Sequence, residues 1–165
     1  MKRIRVLLFA IAMLGIGGIG AIGVNAQDSG QPLDLPCTTG VSIKPLAAAA
    51  PTDAPDYALS LLQLTIAPGG GFTAHTHPPT LVVSVVSGNF GLTPLEHDMT
   101  VMKEGAEVKV AKGEEVELHA DDWVIERGMV HTMRAIGDEP VVALIAGYTE
   151  ASQALVQCVE GTPTP

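Results

Sequence analysis

Two histidines one residue apart, His75 and His77, stand just before a β-branched run, and a third, His131, follows in the stretch ERGMVHTM. Side chains two apart in a strand point to the same face, so His75 and His77 project together. Neutral imidazole nitrogens are the commonest protein ligands of divalent transition metals. The pair could hold one ion, and His131 could complete the set. An H-x-H pair alone is a weak signal. The third histidine strengthens it, because it too follows a glycine-containing turn and leads into a strand. His97 and His119 lie in turn-like contexts and read as solvated surface residues. No G-x-S-x-G, no phosphate loop and no Ser or Cys beside a base is present, so nucleophilic catalysis has no signature here.

The two histidine segments resemble the two motifs of the cupin superfamily. The first motif reads G-x5-H-x-H-x3-E-x6-G, and Gly69, His75, His77 and Gly88 occupy its places. The second reads G-x5-P-x-G-x2-H-x3-N, and Gly128 and His131 occupy theirs. Four positions depart: the glutamate falls on Leu81, the proline on Glu126, the first glycine on Ala120 and the asparagine on Ala135. The resemblance covers residues 58–148 and implies an all-β chain folded as a single cupin-type, jelly-roll-like β-barrel. It implies that His75, His77 and His131 bind one divalent transition metal (Fe, Mn, Zn or Ni), beside a pocket lined by Leu81, Val83, Phe90 and Met133. A small-molecule ligand or substrate would enter that pocket. Three-histidine relatives include iron dioxygenases of thiols and diketones, so oxygen chemistry is one implication. A non-catalytic barrel that binds or senses a small ligand is the alternative. Glu126, in place of the motif proline, could be a substitute carboxylate ligand, but family geometry turns its position away from the metal. With no carboxylate at Leu81, three neutral imidazoles would leave the cation its full double charge, favouring an anionic or enolising chelator.

The rest of the chain must position these residues. At 165 residues there is room for one domain, and 47% apolar content suffices for its core. Residues 1–26 begin with Lys2, Arg3 and Arg5, continue in an uncharged apolar run and end in Val24-Asn25-Ala26. That is the pattern of a secretory signal cleaved after Ala26, which places the protein outside the bacterial cytoplasm, periplasmic or extracellular. Val6–Val24 is also long enough to span a membrane if it is retained. Cleavage leaves six basic against 18 acidic side chains, a net charge of −12. So acidic a surface excludes nucleic acid and anionic membranes as charge-driven partners. A homodimer is left open.

Cys37 and Cys158 are the only cysteines, and an even count in an oxidising compartment suggests a disulfide between them. Residues 27–55 read as an N-terminal arm ending in a Pro/Ala-rich flexible linker over Leu46–Pro55. Residues 56–160 hold the barrel and a C-terminal segment, within which Glu150–Val159 could form a short helix. Residues 161–165, GTPTP, read as a disordered tail. Between them, Tyr57–Ala67, Phe72–His77, Thr80–Ser87, Asn89–Pro94, Val101–Met102, Ala106–Val110, Glu114–Leu118, Asp122–Glu126, Val130–Ile136 and Val141–Tyr148 have strand character. Short strands with closely spaced turn signals mean an all-β sandwich or barrel. Asp121-Asp122 read as turn residues, and Trp123 and Phe90 as core or wall.

Overall fold

The structure, a computed structural model, describes residues 35–150 and 153–159. The expected signal segment, residues 1–26, and the 161–165 tail lie outside them. The described residues are all β, with no helix, and form one antiparallel, nearly closed barrel. The strands are β1 Thr38–Ala49, β2 Tyr57–Thr76, β3 Thr80–Ser87, β4 Asn89–Pro94, β5 Met99–Lys103 and β6 Ala106–Val110. They continue with β7 Val116–Leu118, β8 Trp123–Arg127, β9 His131–Ile136, β10 Val141–Glu150 and β11 Gln157–Cys158.

The 20-residue β2 organises the rest. The segments Tyr57–Ala67 and Phe72–His77, separate in the sequence reading, form one strand as far as Thr76, because Gly69–Gly71 carries the ladder between them. The first half of β2 pairs with β10 and through it with β3, β8, β5 and β6. Its second half pairs with β9 and then with β4 and β7. β2 therefore passes from one side of the barrel to the other, and its glycines mark the crossing. At Gly71 a Cβ would stand 2.3 Å from the Met133 carbonyl oxygen, so no other residue lets β9 approach so closely. Gly69 sits at φ +71°, a conformation that L side chains rarely adopt.

Beyond the glycines the inward phase of β2 changes. Leu62, Leu64, Ile66, Phe72 and Ala74 are buried at even positions, yet His75, directly after Ala74, and His77 are buried at odd ones. A register shift between Phe72 and His75 makes the change, a bulge that re-aims the strand. Without it both imidazoles would face outward.

On the opposite edge β2 is covered by β1 and then by β11. Two expectations change here. Leu46–Ala49 is not a flexible linker but the end of β1, paired with Leu59–Leu61; a register shift between Pro45 and Ala47 absorbs the proline. Ile43 of this strand is buried in the core, so the barrel begins before residue 56. The helix expected over Glu150–Val159 is also absent from the described residues. Glu150 ends β10, and Gln157–Cys158 pairs with Thr76 and His75 as a strand. The Cys37–Cys158 disulfide, with a Cα separation of 5.8 Å, holds the segment extended against β2.

Candidate metal centre

His75 and His131 face each other directly across the β2–β9 ladder, and His77 stands next to them just past the end of β2. The ring centroids are 4.4 Å apart for His75 and His131, 4.9 Å for His75 and His77, and 5.3 Å for His77 and His131. One ligand nitrogen from each lies within 4.8 Å of the other two. The relative exposures of His75, His77 and His131 are 0%, 3% and 0%.

Backbone carbonyls set the tautomers. His75 Nδ1 lies 2.8 Å from the Thr73 carbonyl, His77 Nδ1 2.8 Å from that of Leu155, and His131 Nδ1 2.9 Å from that of Met129. A carbonyl only accepts, so each Nδ1 carries the proton and donates it. Each Nε2 is then a bare lone pair aimed inward, which is how second-shell partners orient imidazole ligands around a metal. Burial holds all three in that neutral form. It lowers the pKa of His75 to about 2, with the neighbouring imidazoles adding to the effect, and that of His131 to about 4. His77 is lowered too, by the same burial, with the Glu126 carboxylate pulling the other way.

Glu126 is the residue the sequence reading misplaced. It does not turn away. It is 1% exposed, with Oε2 3.3 Å from His77 Nε2 and Oε1 3.4 Å from His131 Nε2. The physical reason is strand alternation: β8 runs Trp123 out, Val124 in, Ile125 out, Glu126 in. Read on its own, that two-residue period would have found Glu126. The same alternation moves Trp123 from the expected core or wall to the outer face, where it is 37% exposed. Burial raises the Glu126 pKa, and nearby His77 opposes this.

The donor set passes a direct test of fit for a metal. The Nε2 atoms of all three histidines and both Glu126 oxygens are buried without a hydrogen-bond partner. Lone-pair nitrogens and carboxylate oxygens facing one another repel, and leaving such groups unpaired in a low-dielectric interior is expensive. A divalent cation among them would satisfy all five atoms. Three nitrogens and one carboxylate suit Fe, Mn, Zn or Ni.

Of the expected pocket residues, Leu81 lines a cavity of about 150 Å³ shared with Leu62, Ile145 and Leu155. Val83 pairs with Val124, Phe90 with Ala135, and Met133 with Phe72 and Leu92; all three are packed in the core. Phe72, not singled out from sequence, stacks on His75 at 4.7 Å. A depression of about 760 Å³ lies over Gly69–Gly71, lined also by Phe72, Met133 and Arg134, and none of the three histidines lines it. His97 and His119 are exposed. Asp122 does turn chemistry, accepting backbone N–H groups from Glu104 at 2.7 Å and His119 at 2.8 Å.

No protein-family model matches the chain, and no curated protein does. Solved structures match in fold. A Bacillus subtilis oxalate decarboxylase, studied for its Mn(II) centres, superposes with a TM-score of 0.50 at 19% identity. The match covers 78% of this chain and 30% of that one, so this chain spans under a third of its length. The same enzyme at pH 4.6 also gives 0.50 at 19%, over 78% and 29%. The polyketide cyclase RemF from Streptomyces resistomycificus is similar over 84% of this chain and 85% of its own, with a TM-score of 0.50 at 18% identity. At such identities the likeness defines the fold class, a cupin-type barrel, and the three-histidine group fits a metal-binding member of that class.

Proposed function

We propose that the protein binds one divalent transition metal through His75, His77, His131 and Glu126, and presents it to a small molecule entering the barrel. One observation carries this reading: three buried, unpartnered imidazoles each place a ligand nitrogen within 4.8 Å of the other two, with the unpartnered Glu126 carboxylate 3.3 and 3.4 Å from two of them. The metal would act as a Lewis acid toward a chelating substrate or support oxygen chemistry; His75, His77, His131 and Glu126 would hold it. Glu126 revises the electrostatics expected from three imidazoles. A carboxylate offsets one of the cation's two charges, leaving a net single positive charge to attract an anionic or enolising ligand.

The apolar cavity beside Leu81 equally suits a barrel that binds a small ligand without transforming it. Manganese, named for the Bacillus enzyme, is one of four candidate metals with Fe, Zn and Ni. The disulfide is consistent with export to an oxidising compartment, after cleavage behind Ala26.

Elemental analysis of protein purified without chelator tests the metal, and the expected result is one ion per chain. Oxygen uptake with a panel of thiols and diketones then separates an oxygenase from a binding barrel. Metal-free protein that takes up no added ion would remove the reading.

A further inference from the structure

His77 differs from the other two histidines in what orients it. His75 and His131 donate to carbonyls two residues away on their own segments, Thr73 and Met129. His77 donates to Leu155, 78 positions away in the C-terminal segment. That segment makes few contacts of its own with the barrel. Val156 is buried in the core and Leu155 is partly buried against it. Gln157 and Cys158 pair with Thr76 and His75, and the Val159 N–H donates to the Ala74 carbonyl at 2.9 Å. Gln153 and Leu155 wall the cavity that Leu81 lines from the barrel side. Two ladder positions, one buried valine, the partly buried Leu155 and the Val159 hydrogen bond seat the segment on the barrel. The covalent tie adds to them: Cys158 is bonded to Cys37, whose carbonyl accepts from the Thr73 N–H at 2.9 Å.

We propose that Gln153–Cys158 is a disulfide-held strap that closes the Leu81 cavity and covers His77, and that the Leu155 carbonyl is a positioning group for His77. The disulfide thereby couples thiol state to the metal centre. Cys158 is exposed and Cys37 half-buried, so a dithiol reductant can reach the bond. Reduction breaks S–S as the dithiol supplies two electrons and two protons. Cys37 and Cys158 become thiols, and the reductant becomes its own disulfide. The freed strap then leaves its shallow seat, His77 Nδ1 loses its acceptor, and the imidazole is free to change tautomer and rotamer. The consequence for metal release rests on the metal reading above; the consequence for His77 does not.

The experiment has two arms on the full mature chain. In the first, metal-free protein with 15N-labelled histidine is compared by NMR before and after reduction with dithiothreitol under native conditions. The His77 ring nitrogens should move from a fixed Nδ1–H tautomer to averaged values, and the Val159 amide should lose protection, while His75 and His131 stay fixed. An unchanged His77 overturns the proposal. So does an equal response of all three histidines, which would mean general loosening. In the second arm, Co(II)-loaded Cys37→Ser/Cys158→Ser protein should release its ion to excess EDTA at least tenfold faster than oxidised wild type. Val156→Asp, with the disulfide intact, should act in the same direction. Equal release rates in both variants overturn the strap as a closure. If wild type takes up no Co(II) while His77 alone responds to reduction, the metal reading fails and the positioning role stands.

Discussion

Leu81 and Glu126 stand directly opposite each other across the β3–β8 ladder, both buried and both turned toward the barrel interior. Directly opposed residues on one face of an antiparallel pair have Cβ atoms about 4.5–5.5 Å apart. In our reading, the carboxylate that the cupin resemblance looks for at Leu81 comes instead from the neighbouring strand. The exchange is testable. Glu126→Leu should cost metal affinity, and adding Leu81→Glu should restore much of it. Titration calorimetry on the single and double variants would show this. A double variant no better than the single would mean that only the β8 position reaches the ion.

Glu126→Gln separates charge from shape. The amide is nearly isosteric but lacks the anion, so affinity should fall by at least the roughly 10–100-fold seen when supporting groups around a metal are lost. Metal-free protein should behave in the opposite way. An ionised carboxylate buried beside bare imidazole lone pairs is unfavourable, so the metal-free Gln variant should melt above metal-free wild type at pH 8. Equal melting temperatures would place Glu126 in contact with water.

The buried groups also fix how metal-free stability depends on pH. His75 and His131 have folded pKa values of about 2 and about 4, below the unfolded value of 6.5. Between those limits the unfolded chain binds more protons than the folded one, so these histidines lose their stabilising contribution as pH falls from 6.5. Each such group sets a slope of about 1.4 kcal/mol per pH unit where only the unfolded form is protonated. Glu126, raised in the fold, has the opposite sign: its contribution is present below the unfolded carboxylate pKa and is lost as pH rises through its folded value. Metal-free protein should therefore lose stability steeply from pH 6.5 to pH 4. Stabilisation by added metal should grow with pH through Glu126, whose raised pKa lets protons compete with the cation for its carboxylate, and not through His75 and His131, which burial already keeps neutral. Melting curves from pH 4 to 8, with and without chelator, check both slopes. A metal effect independent of pH would argue against Glu126 as a ligand.

At the crossing of β2, Gly71→Ala puts a methyl group into the Met133 carbonyl. The ladder that sets His75 opposite His131 would have to part, with a cost of about 1–3 kcal/mol or more for overpacking. Metal affinity should fall with it, although no ligand has changed. Gly113→Ala, where a Cβ meets nothing within 4 Å but φ is +81°, should reduce stability without reducing affinity. Urea unfolding together with a metal titration separates the two outcomes.

The disulfide closes a loop of 121 positions between the first and last strands described. Chain-entropy estimates put such a closure at roughly 4–5 kcal/mol. Cys37→Ser/Cys158→Ser should lose up to that amount in urea unfolding, and mass spectrometry without reductant should find both cysteines in one linked peptide. Two free thiols in exported protein would contradict the bond.

What the sequence made legible follows local physics. The spacing of His75, His77 and His131, the alternation of Leu81, Val83 and Val85, and the Cys37–Cys158 pair all stand together in the fold. Two features were hidden because tertiary pairing decides them. β1 is a strand because β2 offers it an edge, despite the alanines and Pro45. The 153–158 segment is extended because Cys158 is tied to Cys37 and paired with His75, overriding its local helical character. Glu126 was obscured when a family register was applied over the plain alternation of its own strand, which aims it at the histidines. The bulge in β2 was equally invisible, since a shift of one residue leaves no mark in composition.

The central claim is that His75, His77 and His131 act as one set on one ion. Titration of metal-free protein with Mn(II), Zn(II), Ni(II) and, without oxygen, Fe(II) measures this directly, with the alanine variant of each histidine alongside. The account predicts one site per chain in wild type, and a loss exceeding about 100-fold when any of the three is replaced. His97→Ala and His119→Ala, exposed and away from the cluster, should bind as wild type does. Wild-type binding no tighter than that of His75→Ala, for all four ions, would contradict it.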